Sequence, residues 1–212
     1  MDAPRDKQFL LAVPEARVLE GIAKRLPAWI KPDHLTALGV LGALGIAAAY
    51  VLSNANEAWL WAASALLVVH WLGDSLDGTL ARVRKSERPR YGYYLDHLVD
   101  AFATAAIGIG LGLSPHMLLA VGFAIVVAYL ILSINTYLET QAFGTFTLGY
   151  GRLGPTEARL LLIGVNTLLA LGVLKFGLLD MLGIGVVAAM IAALVARAAR
   201  NLKRLAQLDP AA

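Results

Sequence analysis

Gly73-Asp74-Ser75-Leu76-Asp77-Gly78-Thr79-Leu80-Ala81-Arg82 and, ten residues on, Gly92-Tyr93-Tyr94-Leu95-Asp96-His97-Leu98-Val99-Asp100 decide how this chain is read. Asp74 and Asp77 are three residues apart and Asp96 and Asp100 four apart, so each pair falls on one helical face. The first pair ends one apolar run and the second opens the next. A short polar link between the runs predicts two antiparallel, neighbouring helices, with all four carboxylates converging just inside a membrane boundary. Like charges so placed repel, and carboxylates at that depth are costly unless paired or functional. A bound cation resolves both difficulties. Oxygen-only ligation suits Mg²⁺, Mn²⁺ or Ca²⁺, and Mg²⁺ commonly combines a few carboxylates with substrate phosphates. Metal beside a diphosphate stabilises the charge that develops in phosphoryl transfer. Gly78 and Gly92 remove side chains where a ligand would approach the backbone, and Arg82 offers a planar fork for phosphate oxygens. The plainer alternative is two solvated helix ends whose charges merely stop the spans. An isolated Asp-x-x-Asp would favour that; two pairs with two glycines and an arginine in fixed order point to a site.

Outward from this segment the chain is strongly apolar. Hydrophobic residues make up 58% and charged residues 16%, with a mean hydropathy of +0.67. Soluble domains have roughly half and about a quarter, so the composition points to a membrane protein. Six stretches, near 35–53, 57–74, 97–114, 116–138, 158–174 and 177–197, approach the ~20 residues that cross a hydrocarbon core. The fifth is the shortest. Lys24, Arg25 and Lys31 precede the first stretch, and Arg82, Arg84, Lys85, Arg88 and Arg90 fall between the second and third. Arg152 and Arg159 fall between the fourth and fifth, and Arg197, Arg200, Lys203 and Arg204 follow the sixth. The alternate connections are nearly free of positive charge. This asymmetry predicts both termini and the aspartates on the cytoplasmic side. It also accounts for the net charge of +3 and pI near 9.3 without nucleic acid as a partner, because the basic residues line one membrane face.

From Pro14 to Leu26, Val18, Leu19, Ile22 and Leu26 recur at helical spacing opposite Glu15, Arg17, Glu20, Lys24 and Arg25. That pattern predicts an interfacial amphipathic helix, and charges interrupting every short apolar run argue against a signal peptide. The expected fold is therefore all-α and integral to the membrane, with six transmembrane helices plus the N-terminal interfacial helix. It reads as one domain over 1–212, with a juxtamembrane segment over 1–32 and a six-helix catalytic core over 33–200. The absence of cysteine excludes disulfides, thiolate metal sites and cysteine nucleophiles.

Asp-x-x-Asp-Gly-x-x-Ala-Arg followed by Gly-x-x-x-Asp-x-x-x-Asp resembles the signature of the CDP-alcohol phosphatidyltransferase family. Asp74, Asp77, Gly78, Ala81, Arg82, Gly92, Asp96 and Asp100 match it position by position. The resemblance, which extends to the six spans and the N-terminal helix, implies Mg²⁺ or Mn²⁺ held by Asp74, Asp77 and Asp96 with Asp100 close by. It implies Asp100 as the general base and Asp74, Gly78, Ala81, Arg82 and Gly92 as residues that hold the CDP group. Pro32-Asp33-His34-Leu35-Thr36 is similar to the family's Pro-Asn-x-Leu-Thr, which adds Asp33 and Thr36 to the nucleotide side, with Asp33 replacing the usual asparagine.

Two donor–acceptor arrangements fit such a family. His97, Glu139 and Gly154-Pro155-Thr156-Glu157 are similar to a pattern in choline and ethanolamine phosphotransferases, and imply transfer from a CDP-aminoalcohol to diacylglycerol. The alternative is a CDP-diacylglycerol donor with a polar alcohol acceptor: inositol phosphate, glycerol phosphate or serine. Arg84, Lys85, Arg88, Arg90 and Arg152 would meet such an acceptor, or serve only topology. Gly-Pro-Thr-Glu reads equally well as a helix start. Outside enzymes, a small transporter would also carry intramembrane carboxylates, but nearer the midplane and often on repeated halves. The glycine rows Gly39, Gly42, Gly45 and Gly108, Gly110, Gly112 permit close helix packing and are compatible with the homodimer the resemblance implies. Membrane lipid would be the remaining partner, and a prokaryotic cytoplasmic membrane the location.

Overall fold

The structure, a computed structural model, describes residues 11–144, 154–174 and 177–209. Among these every regular element is an α-helix: α1 (Ala12–Ala23), α2 (Pro32–Leu52), α3 (Trp59–Val83), α4 (Pro89–Gly112), α5 (Leu119–Phe143), α6 (Pro155–Ala170) and α7 (Leu178–Leu208). Helices α2, α4, α5 and α7 are long and apolar enough to cross a membrane, which marks an integral membrane protein. Helix α3 has 25 residues, but His70, Asp74, Asp77 and Arg82 dilute its apolar run. Helix α6 has 16 residues, about 24 Å, short of a core of about 30 Å. Length and composition therefore carry four of the six expected spans.

The helices run further than their apolar stretches. Helix α3 continues nine residues beyond Asp74, with Arg82 in its last turn facing the negative end of the dipole. Pro89 begins α4, where a missing amide costs nothing. Both aspartate pairs therefore lie inside helices rather than at their ends. The hydropathy reading stopped at the charges; the backbone does not. Helix α5 stops at Gly144, whose φ of +68° is the left-handed cap that glycine adopts freely. Helix α6 starts at Gly154-Pro155, with Glu157 accepting from the Gly154 amide at 3.0 Å.

Helix α4 packs against α2 and α5, whereas α3 packs against α2 and α6. The sequence predicts α3 and α4 as direct neighbours; their backbones pack chiefly on α2, and it is their carboxylate side chains that meet. Glycines explain the packing. A Cβ on Gly73 would lie 2.4 Å from the Gly39 amide nitrogen, and one on Gly110 would lie 2.5 Å from Ala47 Cα. Both α3 and α4 are thus drawn onto α2. Gly42 likewise abuts His70, Gly45 meets Leu66, and Gly108 meets Val126. These glycine rows serve packing within one chain.

At one end of the bundle Ile46, Leu67, Leu111, Val121, Leu169 and Leu179 form one core drawn from all six helices α2–α7. Buried Asn166 of α6 bridges α2 and α3 there, accepting from Tyr50 Oη at 3.0 Å and donating to Ser64 Oγ at 3.2 Å. Among the described residues, a second apolar cluster at the other end joins α1, α2 and α3 through Leu19, Ala23, Leu35, Leu76 and Leu80. Ile22 and Leu26 pack beside them, while Val18 stays exposed. The apolar stripe of α1 is thus narrower than its periodicity suggests, and it rests on α2 and α3. The aspartates lie at this less tightly shared end.

Candidate active site

Asp74 of α3 and Asp96 and Asp100 of α4 each place a carboxylate oxygen within 4.8 Å of the others. Helices α3 and α4 both pack on α2, and their carboxylates come together beside it. Asp77 lies outside this group: its carboxylate accepts from Thr36 Oγ1 at 2.6 Å and from the Gly78 amide at 2.5 Å. Thr36, expected on the nucleotide side, therefore fixes Asp77 to the start of α2. The four carboxylates expected to converge divide into a group of three and one anchored neighbour.

The group holds a cation that the sequence reading counted only for topology. Arg159, one turn into α6, donates to Asp74 Oδ2 at 2.5 Å, and the two side chains are 13% and 15% exposed. Its Nη2 also lies 3.3 Å from Nε2 of buried His70. His70 Nδ1 is 2.9 Å from the Gly39 carbonyl. A carbonyl can only accept, so Nδ1 carries the proton and Nε2 accepts from Arg159. A signal was available: Arg159 follows Gly-Pro-Thr-Glu by two residues and heads an apolar run, where a cation normally needs an acidic partner.

The remaining expected residues are spread around this centre. Gly78 and Gly92 have no packing need for glycine: a Cβ would meet nothing nearer than Arg82 Nη1 at 3.4 Å at the first, and nothing within 4 Å at the second. Ala81 is half-buried, and exposed Arg82 donates to Thr79 Oγ1 at 3.0 Å. Asp33 pairs with Arg88, whose guanidinium also stacks 3.8 Å from the Tyr91 ring. The carboxylate partner raises the Arg88 pKa further. Lys31, Pro32, Asp33, Arg84, Ser86 and Arg88 line a cleft of about 470 Å³ beside this pair.

His97 Nδ1 donates to the Tyr93 carbonyl at 2.7 Å, and its ring lies against Tyr93 and the edge of Tyr137. Glu139 is buried and accepts from Arg197 Nε at 2.7 Å and from Asn201, tying α5 to α7. Glu157 accepts from the Leu11 amide at 2.8 Å as well as capping α6. Neither glutamate belongs to the three-carboxylate group. Each instead stabilises helix ends or helix pairs. Arg152 lies outside the described residues.

Asp74, Asp96 and Asp100 fit a divalent cation. They offer hard anionic oxygens from two helices, and three carboxylates beside one guanidinium carry a formal charge of −2. Fold and site together define a polytopic helical membrane protein with a cation-attracting carboxylate centre at one end of its bundle. The sequence profile of the CDP-alcohol phosphatidyltransferases matches residues 29–198, and the chain belongs to that family. That family acts between a CDP-linked donor and an alcohol acceptor and uses divalent metal. A phosphatidylinositol phosphate synthase of Cutibacterium acnes is 35% identical over 99 residues, 46% of this chain and 45% of that relative. The aligned stretch thus spans under half the length of the relative.

Proposed function

We propose that this protein transfers a phosphatidyl group from CDP-diacylglycerol to a polar, phosphate-bearing alcohol such as inositol phosphate, releasing CMP. Half-buried Arg159 beside the carboxylates is the observation that carries this reading. A diacylglycerol acceptor has no anion to reward a desolvated guanidinium, whereas a phosphate monoester accepts its fork directly. The relative's name supports the same acceptor class. Aminoalcohol transfer, inferred from His97, Glu139 and Glu157, is the second reading. The glutamates' engagement in helix ties and capping weakens it.

In the proposed arrangement Asp74, Asp96 and Asp100 hold divalent metal, with Asp77 positioned by Thr36 beside them. When bound, such a cation neutralises carboxylate and diphosphate charge. Gly78, Ala81, Arg82 and Gly92 leave room for the nucleotide and contact it, with Asp33 and Thr36 bordering the same side. Asp100 takes the proton from the acceptor hydroxyl as its oxygen attacks the lipid-bearing phosphorus. The bond from that phosphorus to CMP breaks, and CMP leaves with the electron pair. Helices α2–α7 make six membrane spans, α6 completed by the residues that flank it, α1 lies at the interface, and the carboxylate end faces the cytoplasm of a prokaryotic cell. The chain 1–212 acts as a single domain and pairs as a homodimer within membrane lipid.

A product screen by mass spectrometry tests the substrate assignment. Purified protein receives CDP-diacylglycerol with inositol phosphate, glycerol phosphate or serine, and in parallel CDP-choline or CDP-ethanolamine with diacylglycerol. Product and CMP are expected only with CDP-diacylglycerol and a phosphate-bearing alcohol, and only with Mg²⁺ or Mn²⁺ present. Turnover confined to the aminoalcohol arm would reverse the assignment, and full turnover in chelator would remove the metal from it.

A further inference from the structure

The contact between Arg159 and Asp74 is not made by those two side chains alone. Glu15, on α1, also spans the same helix pair. Its Oε1 accepts from the indole Nε1–H of Trp71 at 2.7 Å and from the hydroxyl of Thr156 at 2.8 Å. Trp71 is the residue after His70 on α3, and Thr156 lies three residues before Arg159 in the first turn of α6. One carboxylate oxygen thus ties position 71 to position 156. Arg159 ties its own turn to positions 70 and 74. The two ties run side by side between the same two helix segments. Glu157 in turn holds the same turn of α6 to the start of α1, its Oε1 accepting from the Leu11 amide. All three side chains of the clamp are half-buried, so removing the shared acceptor leaves two donors short of a partner.

We infer that Glu15 is a positioning residue: it clamps the first turn of α6 to α3 so that Arg159 is held on Asp74, where the guanidinium and metal compete for one carboxylate. The inference rests on the reading of Asp74 as a metal ligand. A guanidinium this close opposes a second cation at the same group by Coulomb repulsion and by occupying Oδ2. Holding it there keeps the carboxylates charge-compensated without metal and keeps Arg159 in reach of an arriving anion. Loosening the clamp lets Arg159 withdraw and leaves Asp74 to the metal. The sign of the effect separates this role from a merely structural one. A damaged site binds metal more weakly, whereas a released competitor makes metal bind more tightly.

The test is Mn²⁺ binding alone, measured by electron paramagnetic resonance on the full chain in detergent, with thermal unfolding followed alongside. Glu15→Ala is expected to tighten Mn²⁺ binding by about fivefold or more, within the range of ordinary coupling between sites. Arg159→Gln is expected to tighten it at least as much. Glu15→Ala added to Arg159→Gln should then change the affinity by less than about twofold, because the residue through which it acts is gone. Glu15→Gln retains an oxygen acceptor for both donors and should match the unaltered protein. Thr156→Val removes only the α6 arm, should shift affinity in the same direction, and decides the matter if Glu15→Ala does not fold. Unchanged or weaker Mn²⁺ binding in folded Glu15→Ala or Thr156→Val, or full additivity with Arg159→Gln, would overturn the clamp. Asp74→Asn distinguishes the failures. If it leaves Mn²⁺ affinity intact, the ligand assignment falls and the clamp with it; if it abolishes binding while Glu15→Ala changes nothing, the clamp alone falls.

Discussion

Asp100 and Asp96 share a helical face, yet the proposed chemistry asks different things of them. A protonated alcohol is a poor nucleophile, and a positioned carboxylate contributes about 10²–10⁴-fold as general base. Asp100→Asn is nearly isosteric and cannot take that proton at neutral pH. It should lower single-turnover rates at saturating substrates by about that factor while CDP binding, measured in parallel, persists. Near-normal turnover would remove Asp100 as the base; joint loss of metal and nucleotide would make it a ligand only. At this scale the aspartates were legible because like charges at helical spacing in an apolar run demand an explanation. Arg159, His70 and Glu15 were not. Each looks ordinary within its own helix and acquires meaning only from a partner 56 to 141 residues away, which no local pattern encodes. Glu139 and Glu157 left two readings open in the sequence, an acceptor pattern and a plain use in tying and capping helices, and the structure shows the ties and the cap.

Two glycines of the same motif make opposite predictions about their helices. Gly73 sits where α2 and α3 nearly touch, so a methyl group there must push the helices apart. Overpacking of this kind typically costs about 1–3 kcal/mol, and the displaced segment carries Asp74 and Asp77. Gly73→Ala should therefore lower the unfolding temperature in detergent and weaken Mn²⁺ binding together. Gly92 faces open space on α4. Gly92→Ala should leave unfolding unchanged or raise it, since alanine is about 1 kcal/mol the better helix former. If it nevertheless weakens CDP binding, the open space belongs to the ligand. Equal destabilisation by both would contradict the packing described. Helix existence was readable from hydropathy, but packing partners were less so: a five-residue link between α3 and α4 suggested adjacency, whereas glycine contacts seat the backbones of both on α2.

For the whole molecule, orientation is the testable claim. The chain has no cysteine, so single cysteines report accessibility without a background. Cysteines at exposed Ala55 and Pro115 should be labelled by an impermeant reagent on intact cells, and cysteines at exposed Ser86 and Ala206 only after lysis. The reverse pattern would place the carboxylates on the wrong face for cytosolic CDP-linked substrates. Arg84 belongs to the set of charges that predicts this orientation, and it has a second use. Its guanidinium donates to the carbonyls of Leu26 at 3.1 Å, Pro27 at 2.8 Å and Ile30, gathering the segment that joins α1 to α2. Lysine would keep the topological charge but not the fork, having three donors on one atom where arginine spreads five over a plane. Two residues that are synonyms in the language of membrane insertion are thus different words in that of folding. At position 84 a tally of positive charge would miss the change.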